Sequence, residues 1–447
     1  MDNKSDSRRL ITDKLNSSIL LVLHSIPVGI IAGIIVIAYR LLLEKASTAS
    51  RLIYAFLSEN IIYMPLWMLV LLFMGLGIGF IIRLCPLAGG SGIPQIAGEL
   101  ANKLDMNWWQ VLLSKFIGGI ISIAAGLSLG RQGPSVQIGA ALGKGYSKLL
   151  GRSKTEESFL MTGGAAAGLS AAFGAPFAGV MFSLEILHKG FSPNILASVT
   201  VACISADVVT KNFFGLKPLF DFRSISVMQP AQYIALLALG AVLGVLGCLF
   251  NGSMYYTQKA YQLTALPSYY RPVIPFILAG IVGIYVPQVL GGGQFLIEDL
   301  TARSFGISVI ITILTVKYIY TLICLNSGAP GGIFMPVMVI GSLLGNLFGY
   351  ILIFGMGYDH IYLYNFIAFA MAGYFTAIVK APITACVLII EMTGSFEHLT
   401  GVMIVCITSY IVSDLLGTES LYQTLLAGIL KNHAFQKPIP ENQKSVV

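Results

Sequence analysis

The sequence predicts an all-α polytopic membrane protein, and three observations carry that prediction. Of 447 residues, 56% are hydrophobic and only 11% charged, against about 25% charged in an ordinary soluble domain. Apolar runs close to the ~20 residues that cross a bilayer recur along the chain, most clearly at residues 18–43, 61–84, 233–250, 273–289, 309–325 and 361–379. Three short glycine- and proline-punctuated stretches interrupt this pattern: Gly90-Ser91-Gly92-Ile93-Pro94, Gly130-Arg131-Gln132-Gly133-Pro134 and Gly332-Ile333-Phe334-Met335-Pro336. Non-helical backbone at membrane depth is tolerated only where it is buried in protein or lines a cavity. The composition excludes a soluble domain, and no metal cluster, nucleotide loop or nucleic-acid-binding patch stands out in it.

Taken in order, residues 1–16 carry Lys4, Arg8, Arg9 and Lys14 ahead of the first run, and Lys431, Lys437 and Lys444 follow the last. By the positive-inside tendency both termini face the cytoplasm, which gives an even number of full crossings of a cell membrane, inner or plasma. The first run is too long for a signal peptide and lacks a small-residue cleavage pattern. Residues 432–447 read as a short polar cytoplasmic tail. The six cysteines lie in or beside apolar segments without metal-like spacing, as core-filling thiols do.

Between the termini the chain repeats itself. Residues 114–143 align with residues 316–345 at an offset of 202, which superimposes Lys115 on Lys317, Pro134 on Pro336 and Gly139 on Gly341. Residues 175–185 align with residues 381–391 at an offset of 206, matching Pro176 to Pro382 and Glu185 to Glu391. Two matched blocks at nearly one offset predict duplicated membrane halves, residues 17–216 and 217–431. Such halves, often inverted, place a substrate site at their interface near the midplane, with interrupted helices supplying its ligands. Pro134 and Pro336 stand at equivalent places, each after a glycine-rich turn and before a helix expected to start near Ser135 or Val337. Two helix N-termini meeting there carry partial positive charge without a fixed cation, so they can bind an anion and still release it.

These motifs, in this order and with a late Leu421-Tyr422 pair, resemble the CLC family of chloride channels and chloride/proton exchangers. The resemblance covers essentially the whole transmembrane region. It implies an inverted-repeat bundle of about 18 helices, some interrupted or re-entrant, and a homodimer in the lipid bilayer with one chloride path per subunit. Its transported ligand is chloride and it uses no cofactor. Carried over position by position, the hydroxyls of Ser91 and Tyr422 hold a central chloride with the backbone N–H groups of Ile333 and Phe334, and the backbone of Gln132 and Gly133 forms the outer part of the path. A hydroxyl suits this task because it donates a hydrogen bond to an anion without a full opposite charge.

Two departures from the family pattern bear on mechanism. Exchangers resemble GREGP at the second motif, where a glutamate blocks the path when ionised and carries a proton when neutral; here the gate position is Gln132. Exchangers also commonly have a second carboxylate on the cytoplasmic side, directly after the Glu185 position, and here that inner proton-site position is Ile186. An amide and an alkyl chain cannot titrate, so the expectation is chloride transport uncoupled from protons, by a protein that is not an enzyme. Glu185 turns about 100° away from Ile186 on a helix and is expected to be structural, like its repeat mate Glu391. An alternative stays open: a chloride/proton antiporter, if Gln132 stands in for a glutamate or if coupling runs by another route. A more distant alternative is an intramembrane serine hydrolase, from the Gly89-Gly90-Ser91-Gly92 pattern, but none of the five histidines, His24, His188, His360, His398 and His433, sits in a small-residue helical motif late in the chain that would supply its base.

Overall fold

A computed structural model describes residues 2–216, 218–220, 226–264, 266–303 and 305–436. Among these, the chain forms 17 α-helices. The all-α class holds, with one helix fewer than the resemblance implies. Eight helices are long and apolar enough to cross a membrane: Ile19–Glu59, Ile61–Leu84, Pro193–Phe214, Pro230–Leu263, Ile307–Asn326, Phe334–Met356, His360–Val379 and Phe396–Leu415. The backbone of residues 2–16 continues into the first of these as one helix, Asp2–Glu59. Of the polar tail, residues 437–447, with Lys437 and Lys444, lie outside the described residues.

The expectation of a crossing at residues 273–289 is corrected. That helix is Val273–Tyr285, 13 residues long, or about 20 Å at 1.5 Å per residue, against a hydrocarbon core of ~30 Å. Its end is set by Pro287, which pushes the preceding residue out of helical backbone; Val286 has φ −141° and ψ 66°.

Phe334–Met356 and His360–Val379 form the inside of the bundle, with 72% and 78% of their apolar windows buried, while the first two spans bury 39% and 28% and turn side chains such as Phe73 and Phe80 outward. Without a hydrophobic drive between helices in lipid, association depends on close backbone approach. A Cβ added at Gly139 would lie 2.0 Å from the carbonyl oxygen of Gly164, and one at its repeat mate Gly341 would lie 2.7 Å from that of Ala370. The helix pairs Gln132–Leu149 with Lys154–Phe173, and Phe334–Met356 with Leu363–Val379, therefore touch through the same glycine positions.

The halves are also tied by crossed caps. The carboxylate of Glu391 accepts from the N–H groups of Phe177 (3.1 Å) and Ala178 (2.8 Å), at the start of the helix that begins at Pro176. The carboxylate of Glu185 accepts from the N–H groups of Ile383 (3.2 Å) and Thr384 (2.7 Å) and from the Thr384 hydroxyl (2.6 Å), at the start of Pro382–Thr393. Each acid satisfies donors that a helix start leaves without partners and places negative charge at the positive end of the other half's helix. Glu185 and Glu391 both hold helices in place, as their matched positions imply.

Candidate functional site

The three interrupted stretches are joined by backbone hydrogen bonds. Gly130 and Gly332 form an antiparallel bridge, with Gly130 N–H donating to Gly332 O at 2.7 Å and Gly332 N–H donating to Gly130 O at 2.6 Å. Gly331 N–H donates to Gly90 O (3.1 Å), and Gly90 N–H donates to Gly328 O (3.0 Å). Lys115, fully buried, donates from Nζ to the carbonyls of Ala88 (2.9 Å) and Gly90 (2.6 Å), clamping the first stretch.

The second half contains a counterpart of the first stretch that sequence comparison passes over. Lys317 Nζ donates to Val289 O and Gly291 O, each at 2.8 Å, and Gly291 N–H donates to Gly126 O at 3.1 Å. Gly90 and Gly291 share left-handed backbone (φ 62° and 65°), as do Gly92 and Gly293 (φ 97° and 88°). The signal in the sequence is an offset of 201 residues, Gly90 to Gly291 and Gly92 to Gly293. It is weak because only the two glycines and, four residues before the first of them, Pro86 and Pro287 are shared.

Helices start at Gln132 and Phe334, three residues before the expected starts near Ser135 and Val337, so that Pro134 and Pro336 are each the third helical residue. A proline within the first turn removes an N–H that has no helical partner, so it does not delay the start. The early N–H groups of both helices are left without intrahelical partners, and they meet: a Cβ at Gly332 would lie 2.6 Å from Gly133 N. Gly133 in turn abuts Ser91, since a Cβ there would lie 2.6 Å from Ser91 O and 2.8 Å from Ser91 Oγ.

The predicted side chains come together at this point. Ser91 is 7% exposed and Tyr422 4% exposed, and apart from each other neither hydroxyl has a hydrogen-bond partner among the described residues. Burial raises the pKa of the Tyr422 hydroxyl, and the Ser91 hydroxyl lies close enough to oppose that rise, so Tyr422 is a neutral donor. The Tyr422 ring stands 6.4 Å from that of Phe334, which also packs against Phe375 (4.7 Å), Phe173 (6.1 Å) and Phe182 (6.3 Å). Gln132 is fully buried, and both polar atoms of its amide lack protein partners. Ile186 lies in a π-helical turn, Ser183–His188, packed against the helix Ile93–Leu100.

Cavities approach this point from two sides. One of about 700 Å³ is lined by Leu129, Arg131, Gly292 and Met335, with Glu44, Arg51 and Asp299 adding charge. The other, about 260 Å³, is lined by Gly90, Ser91, Gly328 and Ile333, and among the described residues Arg271 is its one charged lining group. Between them sit the Gly130–Gly332 bridge and a cluster of N–H and O–H donors without a carboxylate among the described residues, an arrangement that suits a small anion.

A sequence model of the voltage gated chloride channel family, CLC, matches residues 74–414, well over half of the chain. The chain belongs to the CLC family. Among curated CLC relatives, the H(+)/Cl(-) exchange transporter ClcA of Vibrio parahaemolyticus is 35% identical over 395 residues, 86% of this chain and 84% of that one. The ClcA of Citrobacter koseri is 32% identical over 456 residues, 99% of this chain and 95% of that one. Among solved CLC structures, a slow cyanobacterial Cl-/H+ antiporter superposes with a TM-score of 0.87 at 24% identity, covering 92% of this chain and 98% of that one. A CLC-type fluoride/proton antiporter superposes with a TM-score of 0.74 at 21% identity, covering 90% and 96%. These superpositions establish the shared fold.

The expectation of chloride transport uncoupled from protons is overturned by the relatives, which are named as proton/chloride exchangers over nearly their whole length. The expectation equated coupling with carboxylates at two fixed positions. Gln132 and Ile186 show only that a proton does not ride on those two side chains.

Proposed function

We propose that this chain exchanges chloride for protons across a cell membrane. The observation that carries the anion half is the set of buried donors between two cavities, with Ser91 and Tyr422 hydroxyls beside the N-termini at Gln132 and Phe334. The proton half is supported by the exchanger relatives that align with most of the chain. In this reading Ser91, Tyr422 and the N–H groups of Ile333 and Phe334 hold the central chloride, and the backbone at Gly133 receives it on the way to the larger cavity. Gln132 keeps its uncharged amide out of competition with the anion. The neighbour of Ser91 is a phenol rather than an imidazole; His24 is engaged by Tyr146, and His188 by Thr162. That pairing favours transport over serine chemistry and a role other than catalysis.

The test uses purified protein in liposomes. An imposed chloride gradient is expected to drive protons against their own gradient, with the movement persisting when the membrane potential is clamped and abolished by a protonophore. Chloride flux without any proton movement would overturn the exchange reading.

Both termini are assigned to the cytoplasm from the lysine and arginine distribution. The protein is further assigned as a homodimer through the apolar faces of Pro193–Phe214 and Leu399–Leu415, where Ile204, Val208, Ile407 and Ile411 are about half exposed. Mass photometry in lipid nanodiscs is expected to give twice the subunit mass; a single-subunit mass at working concentrations would contradict the assignment.

A further inference from the structure

The geometry points to a second anion site, in the larger cavity, built on the guanidinium of Arg131 and held shut by the carboxylate of Glu44. Arg131 directly precedes Gln132 and lines the cavity whose floor is Leu129, Gly292 and Met335, next to the Gly130–Gly332 bridge. It is 8% exposed, and its Nη2 is buried with no partner. Its Nη1 donates to Glu44 Oε1 at 3.0 Å, and Arg40 Nε donates to the same oxygen at 2.9 Å. The Glu44 side chain is 40% exposed and lines the same cavity. Water therefore reaches the carboxylate, while the guanidinium behind it is almost closed off.

Buried charge must be paired. With Glu44 ionised, one carboxylate serves two guanidinium groups. Once Glu44 takes a proton from the cavity, Arg131 and Arg40 share a deficit of negative charge that a chloride ion makes good, with Nη1 and the unpartnered Nη2 of Arg131 as donors. The proton goes to a Glu44 oxygen, the ion pair opens, and chloride replaces the carboxylate; no bond is broken and both arginines stay charged. Chloride and Glu44 thus compete for one cation.

The charged groups around this pair are accounted for. On Glu44's own helix they are Arg40, whose guanidinium lies 3.8 Å over the Phe214 ring, Lys45 and Arg51, which lies 3.5 Å over the Phe295 ring. From Pro193–Phe214 come Asp207 and Lys211, paired with each other. From Gln294–Ala302 come Glu298, which accepts from Gln294, and Asp299, which pairs with Arg303. Glu44 is the one acid among the described residues that bonds to Arg131.

The inference rests on the reading that the chain binds and moves chloride. It is tested by calorimetric titration of the detergent-solubilised full chain with chloride at pH about 3 and 7.5, either side of the range where a carboxylate bonded to arginine titrates. The unaltered protein is expected to bind one more chloride at low pH, or to bind the weaker one about tenfold more tightly. Glu44→Gln is expected to show the low-pH behaviour at both values, changing by less than about twofold, and Arg131→Gln to lose the additional chloride at both. Asp299→Asn is expected to keep the pH dependence. A Glu44→Gln protein with the same pH dependence as the unaltered one, or loss of that dependence in Asp299→Asn, overturns the assignment. The absence of any chloride binding by the unaltered protein would instead sink the transport reading beneath it.

Discussion

Replacing Gly133 with alanine is expected to weaken chloride binding by about a hundredfold. The added Cβ would lie 2.6 Å from Ser91 O, 2.8 Å from Ser91 Oγ and 2.9 Å from Gly332 Cα. Two of those three atoms are backbone, fixed by the hydrogen bonds that join the three stretches, so they cannot rotate aside as a flexible side chain would. Forced overpacking costs ~1–3 kcal/mol, and the strain is relieved here only by spreading the Gly130–Gly332 bridge. That moves the helix N-termini at Gln132 and Phe334 apart together and weakens every N–H contact to the ion. Ser91→Ala or Tyr422→Phe removes one hydroxyl donor, for a loss of about 1 kcal/mol, or roughly five- to tenfold. Calorimetry in detergent ranks the three variants. Binding by Gly133→Ala equal to that of the unaltered protein would place the chloride elsewhere.

Substituting methionine for Lys317 is expected to lower stability by about 2–6 kcal/mol, the sum for two buried acceptors that lose their donor. The lysine is fully buried and donates 2.8 Å bonds to the carbonyls of Val289 and Gly291. Methionine fills the same space but leaves both acceptors unpaired, at ~1–3 kcal/mol each. Lys115→Met leaves the carbonyls of Ala88 and Gly90 in the same condition. The two variants should differ in function, because Gly90 adjoins Ser91 whereas Gly291 faces the larger cavity. Lys115→Met is therefore expected to weaken chloride binding as well as stability, and Lys317→Met to act chiefly on stability. Thermal unfolding followed by tryptophan fluorescence, alongside chloride titration, separates the two effects. A Lys317→Met protein as stable as its parent would show that these carbonyls find other partners.

The identity of the family was legible from three short motifs, and the reason is local. Glycine and proline change what the backbone beside them can do, so Ser91, Gln132 and Ile333 could be placed at breaks in helices before any contact was known. Helix Val273–Tyr285 was harder: its hydropathy continues through Pro287 although the helix does not. The partnership of Glu44 with Arg131 had no signal, because the two residues lie 87 positions apart and Glu44 stands outside the repeated blocks. Coupling was misread from Gln132 and Ile186 because two side chains were taken to stand for an entire proton route.

By itself, the sequence determined that this protein lives in a membrane, that its chain carries two pairs of matching segments, and which residues interrupt its helices. Each of these follows from the hydrophobicity, spacing or backbone chemistry of neighbouring residues. Tertiary structure decided that Gly130 meets Gly332, that Glu185 and Glu391 cap each other's half, and that Ser91 and Tyr422 turn their hydroxyls toward one place. Those outcomes depend on hydrogen bonds and close packing between segments as far apart as residues 91 and 422, for which no local pattern in the chain can select the partner.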